Sequence, residues 1–480
     1  MMLVSLAVPA QAATLAIPQK TTSAIAFPLN PDEYGALLLL DEKSGKILYA
    51  HHADQPWTAA SLTKLMTART FASTPTNWDA TGSILSADEV GGGRLRVNSG
   101  TLLSLKDVLY SAIIGSANNA AQALARMFDA RPTETFITEM NTLAKRFGLA
   151  QTVFYDASGM NEKNTLSAFD IATIFIEATD VQEVADSMVL PTYTFSLRSP
   201  VSSKTIKNTN DLLFVEPDII VTGGKTGYLI ESKYNLIVRA YPKDSPEESV
   251  IAVVLGSDTR KGSFDAIVDL MKWGWDQYDW VTVDAPVAIT DNYELGDRDP
   301  EIRSIQAFLN ANGFTIASSG AGSPGQETEY FGSLTQKALE RFQNTVASTA
   351  LTPRGATSAS GYVDSLTRYA MHSYQAKVAT VSAGTTSETS ASIASSASNE
   401  SFNLPAMGRG SVGESVRILQ TLLAKDPGVY PEGLITGYFG SLTEKAVQRF
   451  QIAHDVVQSS SDAGYGYVGP ATRAKLDQLY

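Results

Sequence analysis

The sequence predicts an α+β domain, an antiparallel sheet with helices, followed by two small helical modules. Three observations carry that prediction. From about Tyr34 to Val283, apolar strand-like segments stand at both ends and helical patterns lie between them. The stretch YFGSLTQKALERFQ at Tyr330–Gln343 returns as YFGSLTEKAVQRFQ at Tyr438–Gln451. Between the copies runs a tract, Thr380–Ser401, in which 12 of 22 residues are Ser or Thr and none is aromatic. Such a tract cannot bury enough apolar surface to order itself, so it reads as a linker.

Taken in order, the chain opens with the apolar run Leu3–Pro9 and the small-residue pattern Ala10-Gln11-Ala12. Together they read as an export signal over residues 1–12, although the usual basic start is missing. YGALLLLDEKSGKILYA reads as a hairpin turning at Lys43-Ser44-Gly45. Leu105–Met127, Pro132–Phe147 and Ala168–Thr179 carry helical patterns. KYNLIVRAYPKDSPEESVIAVVLGSD reads as two further adjacent strands, which lets the first and last strands of one sheet pair under a cover of helices. In the repeats, Leu334/Ala338/Leu339/Phe342 and Leu442/Ala446/Val447/Phe450 fall on one face of a helix. The resulting division is a signal at 1–12, the main domain at 31–283, a polar joint at 284–298, module 1 at 299–376, the Ser/Thr-rich linker at 377–405 and module 2 at 406–480.

Composition narrows the chemistry. The 480 residues carry 37 basic and 50 acidic side chains, a net charge of −13, which makes nucleic acid a poor partner. Cysteine is absent, which removes thiol nucleophiles, disulfides and Cys-ligated metals. Only His51, His52, His372 and His454 could serve as an imidazole base or metal ligand, so a Ser-His-Asp hydrolase or a zinc peptidase has little to draw on. No metal or other cofactor is expected. No stretch reaches the roughly 18 apolar residues of a membrane span, so no transmembrane anchor is expected either.

Three short motifs carry the chemistry. Ser61-Leu62-Thr63-Lys64 is the single S-x-x-K of the chain and sits where a helix begins. Residues i and i+3 are neighbours on a helix, so the Lys64 amine can reach the Ser61 hydroxyl and act as its base once burial lowers its pKa. A helix start also aims backbone N–H groups at developing oxyanion charge. Ser116-Ala117-Asn118 follows an apolar helix and offers a hydroxyl for proton relay and an amide for a substrate carbonyl. Lys225-Thr226-Gly227 stands in strand context; its Lys and Thr can bind a carboxylate, while Gly227 lets a substrate lie against the backbone. Taken singly, each motif also reads as an amphipathic helix face, a helix cap or a hairpin turn; their conjunction in this order is what points to a site.

The three motifs together resemble the serine penicillin-recognising enzymes, and within them the D-alanyl-D-alanine carboxypeptidases of peptidase family S11. The segments MNTLAKRFGLAQTVFYDASGM and NTNDLL add to the likeness, which runs over about 250 residues. The resemblance implies a serine β-lactamase/DD-peptidase-like fold. It also implies Ser61 as the nucleophile toward the penultimate D-alanine carbonyl of a peptidoglycan stem peptide, with Lys64 as base. Ser116 would relay protons with Lys64, Asn118 would hold the peptide, Lys225 and Thr226 would receive the terminal carboxylate, and the N–H groups of Ser61 and Tyr228 would form the oxyanion hole beside Gly227. β-Lactams are implied as covalent inhibitors. The repeats resemble peptidoglycan-binding modules, which implies two small three-helix modules and an exported, extracytoplasmic protein associated with the cell wall.

The sequence departs from the family pattern at Asn119, where Asp is frequent, at Ala59, where Pro is frequent, and in YLIESKYN after K-T-G. The last departure alters a wall of the expected cleft and leaves substrate preference open. Alternatives of other classes are a DD-endopeptidase or a serine β-lactamase on the same fold, a zinc DD-peptidase, and an inactive wall-binding protein. No E-x-x-L-N segment of the class A β-lactamase kind is present.

Overall fold

The computed structural model describes residues 13–382 and 404–479, apart from 24, 129–132, 200, 216–217, 286–288, 409–410, 412–413, 427, 431–434, 436–438, 440, 458, 460–461 and 463. The expected signal at 1–12 and most of the Ser/Thr-rich tract lie outside the described residues.

The first domain is built on five antiparallel strands. They are β2 (Ala36–Asp41), β3 (Ile47–His51), β10 (Ile219–Leu229), β11 (Lys233–Pro242) and β12 (Val250–Ser257), in the order β10-β11-β12-β2-β3. The early hairpin thus joins the late strands through β2 and β12, with Leu38 opposite Val253. All six residues of β2 are buried, because both faces of the sheet are covered. Alternation divides them: Leu38 and Leu40 join Ile251 and Val253 in one core, and Leu37 and Leu39 join Val238 and Val254 in another.

Helices α1 (Thr63–Phe71), α2 (Leu105–Ile113), α3 (Asn118–Met127), α4 (Thr133–Arg146), α5 (Ala168–Thr179) and α6 (Gln182–Val189) build the first core, and α8 (Arg260–Gln277) closes the second; α7 is the short Leu212–Val215. Among the described residues the domain also has four two-stranded ribbons: β1 (Ala13–Lys20) with β13 (Tyr278–Ala285), β4 (Trp57–Thr58) with β7 (Thr165–Leu166), β5 (Thr81–Ile84) with β6 (Thr101–Ser104), and β8 (Thr192–Arg198) with β9 (Val201–Lys207). The start of α2 is fixed by a capping box, in which Ser104 Oγ accepts from the Asp107 amide at 3.0 Å and the Asp107 carboxylate accepts from the Ser104 amide at 3.1 Å.

The repeats follow as α9 (Pro300–Ala311), α10 (Ser333–Thr345), α11 (Ala347–Ala350) and α12 (Ser365–Ser382), then α13 (Glu414–Leu423), α14 (Ser441–Ala453) and α15 (Pro470–Leu479). Each has its own apolar core. A buried glutamine ties each repeat in the same way. Gln343 Nε2 donates to Tyr362 O at 2.8 Å and Thr367 Oγ1 at 3.0 Å, and Gln451 Nε2 donates to Tyr467 O and Thr472 Oγ1, both at 2.9 Å. The observed class is the expected one, a mixed antiparallel sheet and helices followed by small helical modules.

Two boundaries differ from the sequence reading. The joint at 284–298 is not a free tether over its described part: Ile289 and Tyr293 are buried in the first repeat's core, and Tyr293 bridges to Val363. The polar residues around them hid two apolar anchors. At the other end, α12 continues to Ser382, beyond the expected end at 376.

Candidate active site

The cleft lies where the start of α1, the α2–α3 turn and β10 meet. It has a volume of about 600 Å³ and is lined by Ser61, Ser116, Asn118, Thr226, Gly227 and Tyr228, among others. Lys64 and Lys225 lie behind this lining, each only 1% exposed. All eight residues expected from the sequence are thus brought together, although their partnerships differ in detail from expectation.

Ser61 sits in a 3-10 turn, Ala60–Leu62, that runs directly into α1. Ala60 adopts a left-handed backbone, φ 48°, and Ser116 does the same at φ 52°. Such conformations cost non-glycine residues roughly 1–3 kcal/mol each and persist only where the surroundings impose them. Gly159 packs directly on Ala60: a Cβ there would lie 1.8 Å from the Ala60 carbonyl oxygen. At Gly227 a Cβ would come within 3.3 Å of the Ser61 amide nitrogen, so the β10 backbone runs close beside the Ser61 turn.

The Lys64 amine has three neighbours. Nζ lies 2.8 Å from Ser61 Oγ, 2.7 Å from Asn118 Oδ1 and 2.6 Å from the Ser158 carbonyl. The Asn118 amide orientation is fixed by its other end, where Nδ2 donates to Gly91 O at 2.8 Å. Two of the three neighbours are therefore carbonyl oxygens that can only accept, and the third is a hydroxyl that can donate. A neutral amine gives its two N–H groups to the carbonyls and is left with its lone pair aimed at Ser61. Burial brings the Lys64 pKa down to about 7, against the pull of the Asp156 carboxylate, which favours the charged form.

The second lysine has a different partner set. Lys225 Nζ donates to Ser116 Oγ at 2.8 Å and to Thr226 O at 3.0 Å. Burial, then the charges of Lys64 and Arg260, hold it well below the ordinary lysine range. Ser116 is thus hydrogen-bonded to Lys225, where sequence reasoning had paired it with Lys64. Asn118 is likewise engaged within the protein at both ends of its amide. Thr226 Oγ1 donates to Thr209 Oγ1 at 2.7 Å. The half-exposed Arg260, which donates to Thr209 O at 2.7 Å and Asp211 Oδ2 at 2.8 Å, presents a guanidinium at the same end of the cleft. That end can hold an anion.

Sequence reasoning missed the groups that position the rest. Asp156 fastens the loop that supplies the Ser158 carbonyl, accepting from the Ser158 amide at 2.8 Å and from the Gly159 and Asn161 amides at 2.5 Å. Buried Asn164 ties the same loop to α1, donating to Thr63 Oγ1 at 3.1 Å. These residues sit in or beside the DASGM segment, and Thr209 sits in NTNDLL, so the signal was present without a role attached. Gly92 and Gly93 also line the cleft, and nothing but the run of three glycines announced them. Among the described residues, no three His, Asp or Glu side chains converge as a metal site, and no helix is long and apolar enough to cross a membrane.

The chain is similar to known proteins in both its parts. The family model for D-alanyl-D-alanine carboxypeptidase, Peptidase_S11, matches residues 30–259, and one described as "Putative peptidoglycan binding domain" matches residues 298–345 and 412–476. A D-alanyl-D-alanine carboxypeptidase of Bacillus subtilis is 29% identical over 258 residues, covering 52% of this chain and 63% of the relative, so the chain spans less than two thirds of that protein's length. A D-alanyl-D-alanine endopeptidase of Pseudomonas aeruginosa is 28% identical over 242 residues, covering 50% of this chain and 76% of the relative. A D-alanyl-D-alanine carboxypeptidase of Escherichia coli is 30% identical over 289 residues, covering 55% of this chain and 67% of the relative. Among solved structures, the Streptomyces K15 DD-transpeptidase is 25% identical and covers 52% of this chain and all of its own, with a TM-score of 0.49. With its three motifs gathered in one cleft and this span of shared sequence, the chain belongs to peptidase family S11, the D-alanyl-D-alanine carboxypeptidase family, and carries repeats of the peptidoglycan-binding type.

Proposed function

We propose that this chain is a serine-type D-Ala-D-Ala carboxypeptidase that acts outside the cytoplasm on peptidoglycan stem peptides through an acyl-enzyme. The observation that carries the reading is the Lys64 amine, buried, turned toward Ser61 Oγ and held by two acceptors that leave its lone pair free. As Ser61 Oγ bonds to the penultimate D-alanine carbonyl carbon, its proton passes to Lys64. The peptide C–N bond then breaks and the departing D-alanine nitrogen takes a proton, with Ser116 and Lys225 at hand to relay it. Water adds to the ester and gives a proton to Lys64; the ester C–O bond then breaks, Lys64 returns the proton to Ser61 Oγ and the shortened stem leaves, so one peptide bond and one water are consumed per turnover. The terminal carboxylate fits the Thr226–Arg260 end of the cleft, with Lys225 behind it. A β-lactam carbonyl would enter by the same path and stay as an ester.

Labelled penicillin tests this directly: the adduct should map to Ser61, and Ser61→Ala should carry none. Covalent labelling of Ser61→Ala would show that the nucleophile lies elsewhere. Chromatography of digested muropeptides separates the carboxypeptidase reading, which releases free D-alanine from pentapeptides, from the endopeptidase activity named for several relatives, which would split cross-linked dimers.

A further inference from the structure

The two repeats are used differently. The shared glutamine bonds put Tyr362 in register with Tyr467, Leu366 with Ala471 and Arg368 with Arg473. Core positions behave alike in both copies: Val363, Thr367 and Met371 are buried, and so are Val468, Thr472 and Leu476. The outer face does not. Tyr362 is 1% exposed whereas Tyr467 is 46% exposed; Ser365 and Leu366 are buried whereas Pro470 and Ala471 are exposed.

What covers the first copy is the peptidase domain itself. Tyr362 and Leu366 belong to the same apolar core as α1 and α5. The Tyr362 hydroxyl donates to Glu177 on α5, and its ring lies 5.5 Å from that of Phe147. Arg368 donates to the Glu42 carbonyl at 3.0 Å, and Arg146 pairs with Glu294 at 2.7 Å. Two glycines of the peptidase domain are shaped to this contact: a Cβ on Gly45 would lie 1.8 Å from Ser365 O, and one on Gly148 would lie 2.8 Å from the Ser360 side chain. The second repeat meets the same body by a different face, through α14 against α6 and across a cavity of about 450 Å³ lined by Glu42, Asp291, Met407 and Val416 among others.

We propose that the first repeat is an intramolecular brace of the peptidase domain rather than a wall-binding module, and that the second repeat, with the matching face open, carries the wall affinity. The second half rests on the wall-associated reading above. The brace reaches the candidate active site along α1: Arg69, in the last turn of the helix whose first turn holds Lys64, lies 3.5 Å from Glu177 and 3.9 Å from Glu294.

The test uses the intact chain first. Nitration with tetranitromethane followed by peptide mapping should modify Tyr467 at least tenfold faster than Tyr362; equal rates would overturn the docked state. Co-sedimentation with purified sacculi then compares the full chain with one ending at Ser382, which keeps the peptidase core and the first repeat's core complete. The full chain should pellet, and the shortened chain should stay in solution while retaining full penicillin labelling. A shortened chain that pellets as the full one does would overturn the division of labour. If the full chain itself stays in solution, the wall-associated reading falls together with the second repeat's role; loss of penicillin labelling at Ser61 in the full chain would instead sink the peptidase reading and leave the brace standing.

Discussion

A lysine is a useful base only while it is neutral, and at residue 64 burial achieves what bulk water would not. With its pKa near 7, about half of the molecules hold a neutral amine at that pH, and the fraction falls roughly tenfold for each pH unit below it. Acylation by a β-lactam should therefore rise about tenfold per unit as pH climbs toward 7 and level off above it. Stopped-flow acylation rates from pH 5 to 9 check the profile. Lys64→Arg keeps a charge but cannot deprotonate, so its rate should drop by about 10²–10⁴-fold and lose the rise with pH. A variant with the same midpoint as the parent would place the titrating group elsewhere. The neighbouring Lys225 does not compete for this role, because its amine faces Ser116 and the Thr226 carbonyl and not Ser61.

The candidate active site depends as much on one loop as on any helix. Residues 156–164 contribute no side chain to the expected chemistry, yet they supply the Ser158 carbonyl to Lys64 and press Gly159 against Ala60. Gly159→Ala would add a Cβ where only 1.8 Å is free, at a φ of 83°. It should cost at least 1–3 kcal/mol of stability in urea unfolding and slow acylation well beyond that loss of folded protein. Asp156→Asn keeps the shape but weakens the charge-assisted bonds to three amides, and removes a charge that favours protonated Lys64. Its acylation midpoint should shift to lower pH while the plateau rate falls; an unmoved midpoint would rule out electrostatic contact with Lys64. Much of the site was legible in the sequence, because S-x-x-K, S-A-N and K-T-G are local patterns whose side chains do the bonding. The loop was not, because it acts through backbone carbonyls and close approach, and a carbonyl looks the same in every residue. The β2–β3 and β11–β12 hairpins and the helix α5 were legible from periodicity. The burial of Tyr362 was not, since its twin Tyr467 has the same neighbours in sequence and a different surface in space.

For the molecule as a whole, the docked repeat makes the peptidase domain larger than its family match at residues 30–259. Leu366, 4% exposed in the shared core, tests how much that contact stabilises: Leu366→Ala should cost about 2–5 kcal/mol by chemical denaturation and leave penicillin labelling of the folded protein intact. A cost under about 0.5 kcal/mol, the range of an ordinary surface change, would mean that the repeat is only resting on the domain. The sheet topology has a different consequence, one that concerns time. Leu38 must wait for Val253, and β1 must wait for β13. Pairings so distant along the chain make folding slow, and the early hairpin spends that interval with an unpaired edge. Ser61 is therefore synthesised long before its cleft can close around it: Gly227 on β10 must come to lie beside it, and β10 reaches β2 only through β11 and β12. A chain stopped anywhere before Ser257 lacks the strands that seat Gly227 beside Ser61, so on the reading proposed above it should take up no labelled penicillin.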